Sequence, residues 1–563
     1  MTAVVGRRTS WAGFPGRGVE LAAWGAILIL AGVLRLGDLA VRGTWDADQG
    51  HDMLVLRALV LDGQLPLLGP PTSIGDFHHG VLYYLLLTPA AALSHADPVA
   101  VTTFIALCGI AAVAVTAWLA RSIAGPTAGL IAALLLAVSS SAVEESIFIW
   151  NPNLIALSSS IALAAAWRAW TTGRARWWLA AGAAAVVTMH CHVLGTILTP
   201  VIGGLLAADI MRRLRRGDGR GAGMVGRAAL GWLGLALLSY VPLAIHELGS
   251  DASELRAAVA FVVDGGPASI ALPARLPIVG LRVLGWPLAG LITTAPLATI
   301  LAAALVVGLA VWRGWLWRGE PNADESVATG DPRTGADLER AAVRWLALGL
   351  TWTVVALAAG ASSLASVVIG LPNDHYHAFA DPMVVVLVAV GLANLLRLRP
   401  ARSGASLTVA AIAVILALAG WNLTHQPPAR AADGGWAAAR SAAARIAVAT
   451  AGDGPIVVAS LPTFKSDEAI RMPLAFEGVA LLRPGVTEAS IDDPVAPRVV
   501  LCDQLFRASI GTDCGGPAED VWIMSSASGL LVSGPRHLAD LPTLVDRFEA
   551  APGRWISVYL KQP

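Results

Sequence analysis

The sequence predicts a polytopic α-helical membrane protein that closes with a small α/β domain. Three observations predict it. Hydrophobic residues make up 56% of the 563-residue chain against 14% charged, with a mean hydropathy of +0.66, far from a soluble globular balance. Apolar windows close to bilayer length recur from Leu21 to Trp421, and beyond Trp421 the composition turns to short apolar runs between turn residues. The formal net charge is zero, so no basic field draws nucleic acid, and what matters is where the charges sit.

A bilayer core needs about 20 apolar residues per helix. Windows of that order lie at Leu21–Gly37, Pro98–Ala120, Gly125–Ala142, Leu154–Trp170, Trp177–Met189, Val193–Ile210, Ala228–Ile245, Leu288–Trp312, Trp345–Ile369, Met383–Leu396 and Ser406–Trp421, which makes 11 spans. No small-residue cleavage site follows the first window, so it reads as an uncleaved anchor, and Arg7-Arg8 as ordinary flanking charge rather than a twin-arginine signal. The segment Gly319–Ala336, rich in Pro, Gly, Asp and Glu, reads as a flexible loop.

Arginines in short loops set the orientation. Arg7, Arg8 and Arg17 place residues 1–20 in the cytoplasm, and with 11 spans the later clusters around Arg121, Arg174, Arg212–Arg216, Arg313–Arg340 and Arg397–Arg402 all fall inside. The piece Val81–Leu93 is too short to cross, and counting it would turn the following basic loops outward, so it reads as a re-entrant or interfacial helix. The membrane module then covers 21–421 with an outer loop at 38–97, and 422–563 forms an extracytoplasmic α/β domain of one small domain's size. Ile456–Ala459, Arg498–Leu501 and Trp555–Tyr559 are its candidate strands. In that oxidising compartment Cys502 and Cys514 suit a disulfide, whereas Cys108 and Cys191 read as buried thiols. The expected location is the cell membrane, multi-pass.

With this topology all 11 histidines fall on or near the outer face, together with Asp46, Asp48 and Asp52. Any one of them is explained by an outer loop tolerating polar residues. The concentration Asp46-Ala47-Asp48-Gln49-Gly50-His51-Asp52, followed by Phe77-His78-His79-Gly80-Val81-Leu82-Tyr83-Tyr84, is harder to explain so, because ionisable groups beside a bilayer are costly and mark function.

The order of elements and the residues from Trp45 to Tyr84 resemble the GT-C glycosyltransferases, specifically family 39 and its relatives, the protein O-mannosyltransferases and aminoarabinose transferases of lipid A. Asp48-Gln49 stands where those enzymes carry an Asp-Glu pair, followed by Gly63-Gln64-Leu65-Pro66-Leu67 and the Gly80–Tyr84 run; Trp150-Asn151-Pro152-Asn153 and His375-Tyr376 add weaker support. The resemblance implies transfer of a sugar from a polyprenyl-phosphate donor to an acceptor at the outer membrane face. That acceptor is a protein, a lipid or a polysaccharide, and membrane lipids surround the site.

Attack on an anomeric carbon needs a base for the acceptor's proton, and Asp48 is the choice. A glutamine cannot serve as base, so Asp48 works alone or Asp46 or Asp52 substitutes for the missing Glu. The anionic leaving group needs cations, for which Arg57, Arg256, Arg275 and Arg282 are candidates, each with the plainer reading of a headgroup contact. Gln49, His51, Arg57, His78, His79, Tyr83, Tyr84, Asn151, His375 and Tyr376 are the expected substrate-binding residues. Asp48, His78 and His79 have the ligand types for a divalent ion, without a spacing that requires one. His190 and His192 point about 200° apart on a helix and share a ligand only if the helix has ended. His375 and His377 lie on one side if their loop is extended. Two other readings stay in view: a transporter or flippase, against which the one-sided polar cluster argues, and a catalytically inert relative that binds lipid or scaffolds an assembly.

Overall fold

The computed structural model describes residues 17–72, 77–264, 270–291, 293–317, 335–361, 364, 374–398, 402–451, 454–462, 467–482, 496–520 and 543–560. Among them, nine helices are long and apolar enough to cross a membrane. The chain opens with α1 (Arg17–Leu36), then α2 (Ala47–Asp62) and α3 (Leu82–Leu93), neither of which is in that set. Next comes α4 (Pro98–Val138), in truth two antiparallel arms. Ala124 and Gly125 leave helical geometry, Gly125 at a φ of 76° that suits a residue without Cβ, and Pro126 starts the second arm. Gly129 accordingly packs back on Ala117 and Arg121, and Arg121 pairs with Glu20 of α1 at the turn.

The bundle continues through α5 (Ile155–Thr172), α6 (Arg176–Cys191), α7 (Leu198–Arg215), α8 (Gly219–Ser239), α9 (Leu272–Ala289), α10 (Pro296–Val311), α11 (Gly335–Gly360), α12 (Asp381–Arg397) and α13 (Arg402–Thr424). The break in α4 puts the predicted windows Pro98–Ala120 and Gly125–Ala142 on one arm each, and Trp177–Met189 falls on α6, whose 16 residues leave it outside the nine. The protein is a multi-pass membrane protein. Helix α12 is its centre: every residue from Asp381 to Asn394 is buried, as expected of a helix apolar all round. Helices α1, α8 and α13 lie at the periphery, with leucines and valines facing outward where lipid would lie.

Three windows differ from the helices at their ends. Leu288–Trp312 straddles a break, because α9 ends at Ala289 and Gly290, at a φ of 79°, turns the chain before α10 begins at Pro296; apolar residues on both sides hide the turn. Ala228–Ile245 corresponds to α8, which starts at Gly219 and stops at Tyr240, before Pro242 opens a short helix Val241–Gly249. Trp345–Ile369 moves back to Gly335–Gly360, and residues 365–369 lie outside the described ones, as does nearly all of the predicted loop 319–336.

Helix α9 lies across one end of the bundle. Near its start Arg275 donates to the Ala358 carbonyl at the end of α11 (3.2 Å); at its finish Asn422 of α13 donates to the Leu288 carbonyl (2.8 Å) and Ser139, just past α4, to that of Pro287 (2.9 Å). The short helix α3 packs at this same end against α2, α4 and α6, burying Tyr83, Tyr84, Leu87 and Ala91, as a segment too short to cross should.

Beyond α13 the chain forms α14 (Gly435–Ala449), β1 (Val457–Leu461), α15 (Glu468–Phe476), β2 (Arg498–Asp503), β3 (Thr543–Ala551) and β4 (Arg554–Leu560). The sheet order is β1-β2-β4-β3, with β1 and β2 parallel and the other pairs antiparallel. Ala443, Ile446, Ile470, Leu474, Val499 and Val558 form its core between sheet and helices. Cys502 and Cys514 are disulfide-bonded, and Cys191 is a buried free thiol while Cys108 is half-buried. Strand β3 is the element the sequence hides: Asp546, Arg547 and Glu549 interrupt its apolar pattern, as suits an edge strand.

The domain sits on the chain between α1 and α2. Trp436 packs against Trp45 with ring centroids 4.6 Å apart and planes tilted by 56°, Asp433 accepts from the Trp45 amide (2.8 Å), and the Trp45 indole donates to the Ala469 carbonyl (2.8 Å). The acidic loop is thus clamped between membrane bundle and domain.

Candidate active site

Helix α2 begins at Asp46, whose capping box with Gln49 starts the helix; Gln49 accepts from the Asp46 amide (2.9 Å) and donates to the Ile149 carbonyl (2.9 Å). Gln49 is buried and acts on the backbone, which corrects its expected substrate contact. Asp46 is bound by Arg554 of β4, 3.1 Å from its Oδ1, and so is a docking residue rather than a spare base.

Asp48, His51 and Asp52 follow at i, i+3 and i+4 and so share one face of α2. All three line a cavity of about 100 Å³ at the end of the bundle that carries the domain. Asp48 is exposed there. Asp52 is buried at 2% exposure and accepts from the Tyr83 and Tyr84 hydroxyls, each at 2.8 Å. Burial pushes its carboxyl up to about 7, against the opposing pull of His51 and the two hydroxyls. Both tyrosines are fully buried beneath it and do not line the cavity, so they hold Asp52 instead of a substrate.

The opposite wall is built of rings from four distant segments. His79 lies 4.9 Å from His192, His192 4.7 Å from Tyr376, and Trp150 4.0 Å from His375, measured between centroids. Helix α6 ends at Cys191 and His192 is extended, so His192 turns into the cavity while His190 turns away to Ser239 (2.8 Å) and Tyr240. Val193 donates to His79 Nδ1 (3.3 Å) and Leu194 to His192 Nδ1 (3.2 Å), which leaves the proton of each neutral ring on Nε2. Burial, with His78 nearby, lowers His79 to about 4, and burial with the neighbouring His79 and His375 lowers His192 well below the ordinary value. This wall is therefore uncharged at neutral pH, suited to sugar hydroxyls and ring faces. Asn151 lines it too, while its amide also donates to the Cys191 carbonyl, so capping and wall roles coincide.

Several expected residues lie elsewhere. Arg57 does not line the cavity: nine residues are about two and a half turns, which carries it to the far side of α2 from Asp48. Arg256 pairs with exposed Asp251, and Arg275 serves the Ile270 and Ala358 carbonyls. Arg282 binds Asp374 inside the protein and so orders the 3₁₀-helix Asp374–Ala380 that presents His375 and Tyr376. Within that helix His375 faces the cavity while His377 faces Asp374 (3.1 Å), so the pair does not share a side. His78 is taken up by Glu254, which accepts from its amide (2.6 Å) and Nδ1 (2.9 Å).

Among the described residues, no three His, Cys, Asp or Glu side chains are disposed to hold an ion, and His78 and His79 have the partners just given.

The residue that sequence reasoning missed is Glu468. It is the first residue of α15, and its Oε1 lies 2.9 Å from His51 Nδ1 across 417 residues of chain. Asp467-Glu468 ahead of an amphipathic stretch marks a helix start, but nothing in the sequence links it to the acidic loop. His192 and Trp150, absent from the expected substrate-binding residues, also line the wall.

Residues 78–230 match the family described as dolichyl-phosphate-mannose-protein mannosyltransferase. No curated protein matches the chain. Among solved structures, ArnT from Cupriavidus metallidurans in the apo state is similar at 12% identity and a TM-score of 0.52, over 96% of this chain and 98% of that one. ArnT from the same organism bound to undecaprenyl phosphate is similar at 13% identity and a TM-score of 0.54, over 97% and 98%. The likeness is one of fold along nearly the whole chain. It bears out the fold that the resemblance read from Trp45 to Tyr84 implies.

Proposed function

We propose that this protein is a membrane glycosyltransferase that moves a sugar from a polyprenyl-phosphate donor to an acceptor at the outer face of the membrane, with Asp48 as general base. The observation that carries the reading is the cavity itself. An exposed carboxylate on a capped helix faces a neutral wall of imidazole and aromatic rings, at the membrane end of a bundle sharing the fold of ArnT, which has been solved with undecaprenyl phosphate. In this reading Asp48 takes the acceptor's proton as its oxygen bonds the anomeric carbon, and the wall orients the sugar. Asp52 and its two tyrosines keep the first turns of α2 rigid beneath the reacting centre.

The outward placement is supported by two features. The Cys502–Cys514 disulfide belongs to an oxidising compartment. The basic clusters at Arg121, Arg174 with Arg176, and Arg212 to Arg216 lie at the turns away from the cavity, as inside loops do.

The test is transfer by the purified full chain in nanodiscs from a radiolabelled sugar on undecaprenyl phosphate, with protein, lipid and polysaccharide acceptors supplied separately. Asp48→Asn should lower transfer by about 10²- to 10⁴-fold at unchanged thermal stability. Undiminished transfer in that variant would falsify the assignment of the base.

A further inference from the structure

We propose that Glu468, from the C-terminal domain, positions His51 to meet the phosphate of the donor, so that this domain completes the transferase site. The inference rests on the glycosyltransferase reading. Its basis is a close approach of two helices. Where α15 meets α2, residue 50 is glycine, and a Cβ there would lie 2.1 Å from the Glu468 carbonyl oxygen. The start of α15 therefore rests directly on α2, one residue before His51. The Trp45 indole holds the next carbonyl, Ala469 (2.8 Å), and Arg554 holds the start of α2 through the Trp45 carbonyl (2.8 Å) and Asp46 (3.1 Å). These contacts bring the Glu468 carboxylate within 2.9 Å of His51 Nδ1. With Nδ1 engaged, Nε2 is the remaining hydrogen-bonding atom of a ring that lines the cavity.

His51 differs from the other cavity imidazoles in its company. Asp48 and Asp52 flank it on α2, Glu468, Asp467 and Arg471 stand on α15, Tyr83 and Tyr84 lie below on α3, and His79, His192 and His375 face it from the wall. Burial disfavours its charged form, but the Glu468 hydrogen bond and the three carboxylates outweigh it and raise its basicity, whereas the wall histidines are lowered. Among the described residues lining the cavity, none is an arginine or a lysine. An imidazolium at His51 supplies the charge a leaving phosphate needs. In the transfer step the bond from the anomeric carbon to the phosphate oxygen breaks with its electron pair on that oxygen. The acceptor oxygen bonds the carbon, its proton passes to Asp48, and His51 keeps its proton while facing the phosphate.

The experiment measures binding of undecaprenyl phosphate to the full chain in nanodiscs between roughly pH 5 and 8. Because the probe's own phosphate titrates in this range, each variant is compared with wild type at every pH. Glu468→Gln should weaken binding by up to about tenfold near neutrality and move the midpoint to lower pH by up to about one unit, a unit of pKa being a factor of ten. His51→Gln should remove the difference, so that adding Glu468→Gln to it changes nothing further. Should Glu468→Gln fold poorly, Glu468→Asp, which keeps the charge, should restore most of the binding and the wild-type midpoint. Arg445→Gln, at an exposed pair with Asp546 on the far strand, should match wild type. Wild-type affinity and midpoint in Glu468→Gln overturn the inference while leaving the transferase reading intact. Absence of both binding and transfer in the wild type overturns the reading and the inference together.

Discussion

Arg282 holds Asp374 through two parallel hydrogen bonds, Nε to Oδ1 at 2.8 Å and Nη2 to Oδ2 at 2.7 Å, with both side chains almost wholly buried. The pair ties α9, lying across the bundle end, to the 3₁₀-helix that presents His375 and Tyr376. Removing the cation leaves a buried carboxylate facing no guanidinium, so Arg282→Ala should cost about 3–5 kcal/mol of stability and lower transfer as the ring wall loses its support. Arg282→Lys should recover part of the stability but not the forked geometry. Thermal unfolding in nanodiscs beside transfer rates checks both, and wild-type behaviour of Arg282→Ala would remove this pair from the site's support.

Asp52 makes a pH prediction. Its carboxyl is raised from 3.8 to about 7 in the folded protein, so the native state holds a proton that the unfolded chain releases. Stability from this group is fully present below about 4 and is lost as pH rises toward 7. Asp52→Asn cannot titrate, so the stability of the variant relative to wild type should improve as pH rises across that interval. Unfolding midpoints of both proteins at pH values spanning the interval decide the matter; a constant difference contradicts the assignment.

Gly50 has no room for a side chain because the Glu468 carbonyl lies against it. Gly50→Ala should push α15 away from α2, separating Glu468 from His51. Transfer should fall several-fold while the membrane bundle, which does not depend on this contact, keeps its secondary structure. Circular dichroism and transfer assays on the same preparation are the check.

The Cys502–Cys514 bond closes a loop of 12 residues between β2 and the segment ahead of Glu519. Paired Cys502→Ser and Cys514→Ser substitution should destabilise the C-terminal domain by about 2–4 kcal/mol, and reductant should do the same to wild type but nothing more to the variant. Limited proteolysis of the domain with and without reductant reads this directly.

The membrane architecture was legible in the sequence because a bilayer imposes its thickness on each crossing helix. Nine helices among the described residues are long and apolar enough to cross, and Val81–Leu93 forms a helix of only 12 residues. Helix ends were less legible wherever apolar residues continued through a turn, as at Gly290. The concentration of Asp48, His51 and Asp52 was legible in the sequence as part of an outer loop; that they lie on one face of a helix came only with the structure. Gln49, Tyr83 and Tyr84 were assigned to substrate because their chemistry suits it; burial turns them to Ile149 and Asp52 instead.

The sequence by itself determined the run of apolar membrane helices, the short helix Leu82–Leu93 and the cysteine pair, all of them consequences of local spacing and of the solvent each segment meets. Only the tertiary structure decided which rings stand opposite Asp48, that Arg282 serves Asp374, and that Glu468 meets His51. Those contacts join residues up to hundreds of positions apart, and no periodicity along the chain encodes a meeting made by packing helices across the end of a bundle.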